Sequence, residues 1–183
     1  NNGKIQLSAV QFFGTQPTEI VFQPQTKEEL QTAVDLWVDD NGTALTTYGE
    51  INSWDVSLIT DMSFLFQFKN TFNSDISNWD VSNVTNMGFM FDQCYVFNQD
   101  LSNWDVSNVA GMPGLFGSCT AFTSDLSGWD VSNVTDMSVL FAGCANFTSD
   151  LSSWDVSNVI GMHRIFQGAS IFTSDLSSWD VSS

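Results

Sequence analysis

Ile76-Ser77-Asn78-Trp79-Asp80-Val81-Ser82-Asn83-Val84-Thr85-Asn86-Met87 is half of a unit that the chain repeats. Its centre, Trp-Asp-Val-Ser, is written six times, starting at Trp54, Trp79, Trp104, Trp129, Trp154 and Trp179. The spacing is 25 residues each time. A fixed period of that length marks a repeat array, in which each unit buries its apolar side against its neighbours. The units run over residues 51–75, 76–100, 101–125, 126–150 and 151–175, with a partial sixth from 176 to 183.

Within a unit the segment from Ile76 to Val81 reads as extended, and Val84 to Met87 as a second short strand. Ser82-Asn83 between them is turn chemistry. The stretch from Gly88 to Cys94 is too short for more than two helical turns. The expected fold is therefore a right-handed repeat solenoid, with parallel β ladders and a column of short helices or 3₁₀ turns. The tryptophans at 54, 79, 104, 129, 154 and 179 are its expected structural core, because each large ring buries about 150–250 Å².

Residues 1–50 do not share the repeat. Ile5, Leu7 and Ala9 alternate with polar residues as in a strand that extends to Phe13. Gly14 to Thr18 reads as a loop, and Ile20, Val21 and Phe22 as a second short strand that Pro24 stops. Thr26-Lys27-Glu28-Glu29 fits a capping box, with Leu30, Ala33, Val34 and Trp37 at helical spacing after it. A helix is expected over about residues 26–39, closing the open apolar end of the array. Asp39-Asp40-Asn41-Gly42 ends it, and residues 44–49 link it to the first unit.

The 183 residues carry 4 Lys and Arg against 21 Asp and Glu, a formal charge of −17. Such a surface repels nucleic acid and anionic membranes, and no stretch is apolar and long enough for membrane insertion. Aromatic residues make up 14% of the chain, too many for a disordered acidic tail. The start at Asn1 is not a signal peptide, and the chain reads as mature or trimmed. Its C-terminal end, just past the sixth Trp-Asp-Val-Ser, is expected to continue or to be covered by a neighbour. Asn41, Asn83, Asn133 and Asn146 stand in Asn-x-Thr sequences, which are candidate glycosylation sites and a weak pointer to secretion.

The residues following Ser-x-Trp-Asp-Val-Ser-Asn-Val-Thr-x-Met-x-x-x-Phe, with Phe-x-x-Asp-[Ile/Leu]-Ser closing each unit, resemble the repeats of the BspA-like surface proteins. That family is also catalogued as a mycoplasma-type domain of unknown function. The lead-in from Phe22 through Thr26-Lys27-Glu28-Glu29-Leu30 to Tyr48-Gly49-Glu50-Ile51 is similar to the segment that precedes such arrays. The resemblance covers about residues 22–183. It implies a leucine-rich-repeat-like solenoid on an extracellular or cell-surface protein used in adhesion or assembly, with no enzyme activity and no functional residues to carry over. Ala110, Gly111 and Pro113 depart from the pattern in the third unit, and Ile160-Gly161 in the fifth.

No catalytic constellation is visible, and no cofactor is expected. One Asp column runs through Asp55, Asp80, Asp105, Asp130, Asp155 and Asp180, another through Asp75, Asp100, Asp125, Asp150 and Asp175. Stacked carboxylates repel, so each is expected to accept backbone bonds in an Asx-turn. The sharper alternative is Ca²⁺ shared between coils, with Asp80, Asp105, Asp130 and Asp155 as metal candidates. Cys94, Cys119 and Cys144 read as a ladder of buried thiols, and Met62 to Met162 as core filling. His163 and Arg164, the single His and single Arg, read as surface residues. The function expected is a non-enzymatic module for protein contact, adhesion or structural assembly, with protein partners. The alternative is a glycan- or Ca-binding surface protein.

Overall fold

The computed structural model describes residues 21–182. The strand and loop expected between Ile5 and Ile20 lie outside those residues. Val21 and Phe22 are irregular, and the Phe22 carbonyl accepts from the amide of Asp55 at 2.9 Å.

Helix α1 spans Lys27–Asp39. Thr26 caps it by accepting from the Glu29 amide, and the Glu29 carboxylate reaches back to the Gln25 amide at 2.7 Å. Leu30, Ala33, Val34 and Trp37 form its buried face. Asp40 ends α1 and also starts a second helix, α2, over Asn41–Tyr48, by accepting from the Thr43 amide. The residues read as a link from 44 to 49 thus belong largely to α2, since the Asp40 cap restarts the helix that Asp39 ends. A single 3₁₀ turn, Ile51–Ser53, leads into the repeats.

The expected leucine-rich-repeat-like solenoid of parallel β ladders is not what forms. Among the described residues there is no strand and no sheet. Four isolated parallel bridges join Asp61, Asn86, Gly111, Asp136 and Gly161 in series. The column of short helices is also absent: the repeats are turns, bends and irregular backbone. Residues 25 apart nevertheless lie over one another. Phe66, Phe91, Phe116, Phe141 and Phe166 stack with ring centroids 5.3–5.8 Å apart. Phe72, Phe97, Phe122, Phe147 and Phe172 form a second column at 5.8–6.0 Å. The two columns touch within each coil at 4.0–4.2 Å.

The reason for the missing strands lies in the backbone bonds. In the second coil the amides of Met87, Phe89, Phe91 and Gln93 donate to the carbonyls of Gly111, Pro113, Leu115 and Gly117 in the third. The amides of Met90, Asp92 and Cys94 donate locally instead, three residues back. Every fourth residue in this half has a positive φ. One column is Phe64, Phe89, Gly114, Val139 and Arg164, the other Phe68, Gln93, Ser118, Gly143 and Gly168. A backbone that turns left-handed every fourth residue sustains neither a strand nor a helix. On the tryptophan side, local bonds such as Val84 to Val81 and Trp79 to Ile76 bend the chain before a ladder forms.

α1 covers the first coil. Trp37 meets Trp54 edge-on at 5.8 Å, and Phe22 and Tyr48 close around the same ring. Gln31 donates its amide to the Leu65 carbonyl at 3.0 Å. The counterpart of that carbonyl one coil on, at Met90, accepts the Phe66 amide. Gln31 therefore supplies the donor that a preceding coil would have offered. Lys27 bonds Asp61 and Ser63 at 3.1 and 2.6 Å, and Lys69 reaches back to Asp35 at 2.6 Å.

Candidate functional site

The residues that every coil shares turn inward or onto one another. Trp54, Trp79, Trp104, Trp129 and Trp154 are buried, while Trp179 is half-buried. From Trp79 onward each indole N–H donates to the carbonyl of the Ile or Leu 28 residues earlier, at 2.8–3.3 Å. Met62, Met87, Met112 and Met137 are buried, and Met162 is half-buried. The thiols of Cys94, Cys119 and Cys144 are free, buried, and donate to Phe66, Phe91 and Phe116 carbonyls at 2.9–3.0 Å. Burial pushes Cys94 and Cys144 up to about 12 and Cys119 well above the ordinary thiol value, so the thiolate is suppressed.

The Asp columns are surface turns. Asp55, Asp80, Asp105, Asp130 and Asp180 each accept from the hydroxyl and amide of the Ser two residues on, at 2.6 and 3.0–3.1 Å. Asp155 accepts from the Ser157 amide at 3.0 Å. The second column does the same with the amides of Ser77, Ser102, Ser127, Ser152 and Ser177. The serine hydroxyl first, then its amide, holds Asp55, Asp105, Asp130, Asp155 and Asp180 below the ordinary carboxylate value. In Asp100, Asp125, Asp150 and Asp175 the amide leads.

The calcium candidates Asp80, Asp105, Asp130 and Asp155 therefore share one exposed column, each with an oxygen engaged by serine. Among the described residues no three His, Cys, Asp or Glu side chains come together as a metal-binding group. The bridge column runs Asp61, Asn86, Gly111, Asp136, Gly161, so no two neighbouring coils place carboxylates there. Burial opposes the charge of Asp61, but its bonds to Ser63 and Lys27 outweigh this and lower its value.

The asparagines sew coils together. Asn83, Asn108, Asn133 and Asn158 each donate the side-chain amide to the serine carbonyl 26 residues earlier, at 2.7–2.9 Å. Asn146 does so to Thr120 at 2.8 Å. Of the four sequon asparagines, Asn41 alone lies outside the repeats, exposed at the start of α2.

One row of positions that differ between coils forms a ridge. The left-handed column places Phe64, Phe89, Gly114, Val139 and Arg164 in line. Pro113 and His163 stand directly before two of them. Phe64 is 51% exposed, Arg164 and His163 are exposed, and Phe89 and Val139 are half-buried. Phe64 and Phe89 stack at 5.5 Å, and the Lys27 ammonium lies 6.0 Å from the other side of the pair, over Phe64. The Phe89 ring occupies the space that a Cβ on Gly114 would need, at 2.4 Å. Sequence reasoning missed this column because Phe, Val and Arg do not signal a left-handed residue. Gly114 at one coil and Gly143 and Gly168 in the companion column were the available signs.

Among the described residues no helix is long and apolar enough to cross a membrane. No curated protein and no solved structure matches the chain significantly. A family model described as "Mycoplasma protein of unknown function, DUF285" matches residues 40–138 and 116–183. With the two matches together spanning the coils and α2, the chain belongs to that family of mycoplasma-type domains of unknown function.

Proposed function

We propose that the chain is a non-enzymatic, extracellular or cell-surface module of the BspA-like kind, used for protein contact, adhesion or structural assembly. One observation carries this reading. The side chains common to all coils are engaged inside the stack or in its own turns, whereas exposed positions such as those of Phe64, Tyr95, Ile160 and Arg164 differ from coil to coil. A scaffold with fixed internal bonding and variable outer positions, the ridge of Phe64, Phe89, Val139 and Arg164 among them, is suited to recognition by surface display. The acidic surface and the three-residue glycosylation sequences support an exterior location. A glycan-binding reading has less support, because Phe89 already stacks on the Phe64 ring at 5.5 Å.

The test is adhesion of the purified chain to intact cells and to candidate surface proteins. Phe64→Ser with Arg164→Ser on the ridge is compared with Thr123→Ser and Asp105→Ser elsewhere. Binding lost in the ridge variant alone supports the reading. Equal loss in both, or turnover of a substrate by the chain, counts against it.

A further inference from the structure

We infer that Asn41 is the one of the four Asn-x-Thr asparagines at which the folded chain accepts an N-linked glycan. Its biological use rests on the extracellular reading above, while the steric part stands on the geometry. Glycan transfer forms a bond from Nδ2 to the sugar C1. It breaks the C1–O bond to a lipid-linked pyrophosphate donor, which leaves with the electron pair, and one amide proton is lost. The product must therefore have room at Nδ2.

At Asn83, Asn133 and Asn146 that nitrogen already faces the carbonyl of Ser57, Ser107 or Thr120, at 2.9, 2.7 and 2.8 Å. Each bond crosses the junction to the preceding coil. Asn133 is also flanked by Asn108 and Asn158, which make the same bond one coil away on either side. Coils stack at ring distances of 5.8 Å, so a sugar on Asn133 must crowd or displace these junction bonds even though it projects to solvent. Asn146 has Ala121 before it and the half-exposed Ile171 after it in its column.

All four asparagines are exposed, and Asn41 differs in its bonding and its place. It stands at the first position of α2, outside the stacked coils, and its side chain makes no hydrogen bond within the described residues. Its neighbour Gly42 adds no side chain to the approach. An open groove bounded by Trp37, Val38, Phe72 and Ser74 lies beside it, with space for the first sugar.

The test uses the full chain behind a supplied secretion signal in a eukaryotic host, so it is independent of where the protein resides naturally. One variant keeps the Asn41 sequence alone and another the Asn133 sequence alone. Each is made with and without blockade of the lipid-linked donor, and glycopeptide mapping and melting are read for each pair. The Asn41 variant is expected to carry the glycan with an unchanged Tm. The glycosylated Asn133 form is expected to melt several degrees below its unmodified twin, or to be retained while the twin is secreted. An unmodified Asn41, a Tm lowered by its glycan, or a secreted Asn133 glycoform of unchanged Tm overturns the inference.

Discussion

Each coil has two halves that hold the stack together by different means. From Met to Cys, backbone amides donate directly to the next coil, four at each junction from the first to the fourth. Around Trp-Asp-Val-Ser, side chains do the work: the indole N–H and the Asn amide reach back to carbonyls of the coil before. The backbone half tolerates sequence change, since every residue but proline has an N–H and Pro113 stands where only a carbonyl is used, and its ridge varies from Phe to Gly to Val to Arg. The side-chain half does not, because only Trp and Asn place a donor at those carbonyls. Variation therefore separates from side-chain cohesion along the same chain.

The largest break in the comparison comes on the side-chain half. Trp104→Ala removes a ring that is 4% exposed and one of the two donors to the Ile76 carbonyl, and destabilises by about 3–5 kcal/mol in denaturant unfolding. An unchanged midpoint would show that the indole column does not hold the stack. In the backbone half, Gly114→Ala sets a Cβ against the Phe89 ring at a φ of +60°, and costs about 2–3 kcal/mol. The loss shrinks if Phe89→Ala is added.

Smaller effects sharpen the division. Asn108→Ala deletes one bond across a junction and costs about 1 kcal/mol by the same unfolding assay. Val139→Gly runs the other way. A β-branched residue at φ 53° is strained by about 1–2 kcal/mol, and glycine removes that, less its own entropy, so a gain of up to about 1 kcal/mol is expected. A loss at Val139 would mean that its side chain, not the backbone bond, matters there.

Acid gives the smallest effect, because the Asp columns face water. The carboxyls of Asp55, Asp105 and Asp130, with those of Asp100, Asp125 and Asp150, sit below the unfolded value of about 3.9, so their stabilisation is complete above that pH. It fades as pH falls through the lowered folded values. The Tm is expected to be flat from pH 7 to about 5 and to drop below about 4. A drop beginning near pH 6 would point to groups other than these Asp–Ser turns.

The 25-residue recurrence of Trp, Phe, Met and Cys, and the turn-forming Asp-x-Ser, were legible in the chain as written. They are local or periodic facts, and a period transmits directly into which residues stack, as Phe91 does on Phe116. The secondary structure was not legible. Ile-x-x-Trp-x-Val has the apolar content of a strand, yet the Val84 and Trp79 amides close turns onto Val81 and Ile76. In the Met-to-Cys half, what selects turns over strands is the left-handed backbone at Phe64, Phe89 and Val139, residue types that carry no preference for it. That conformation is stable because their amides find carbonyls one coil away, on Gly88, Pro113 and His163. A bond between residues 24 apart exists only once the coils are stacked, so the backbone path and the ridge it raises belong to the assembled stack, while the period belongs to the chain.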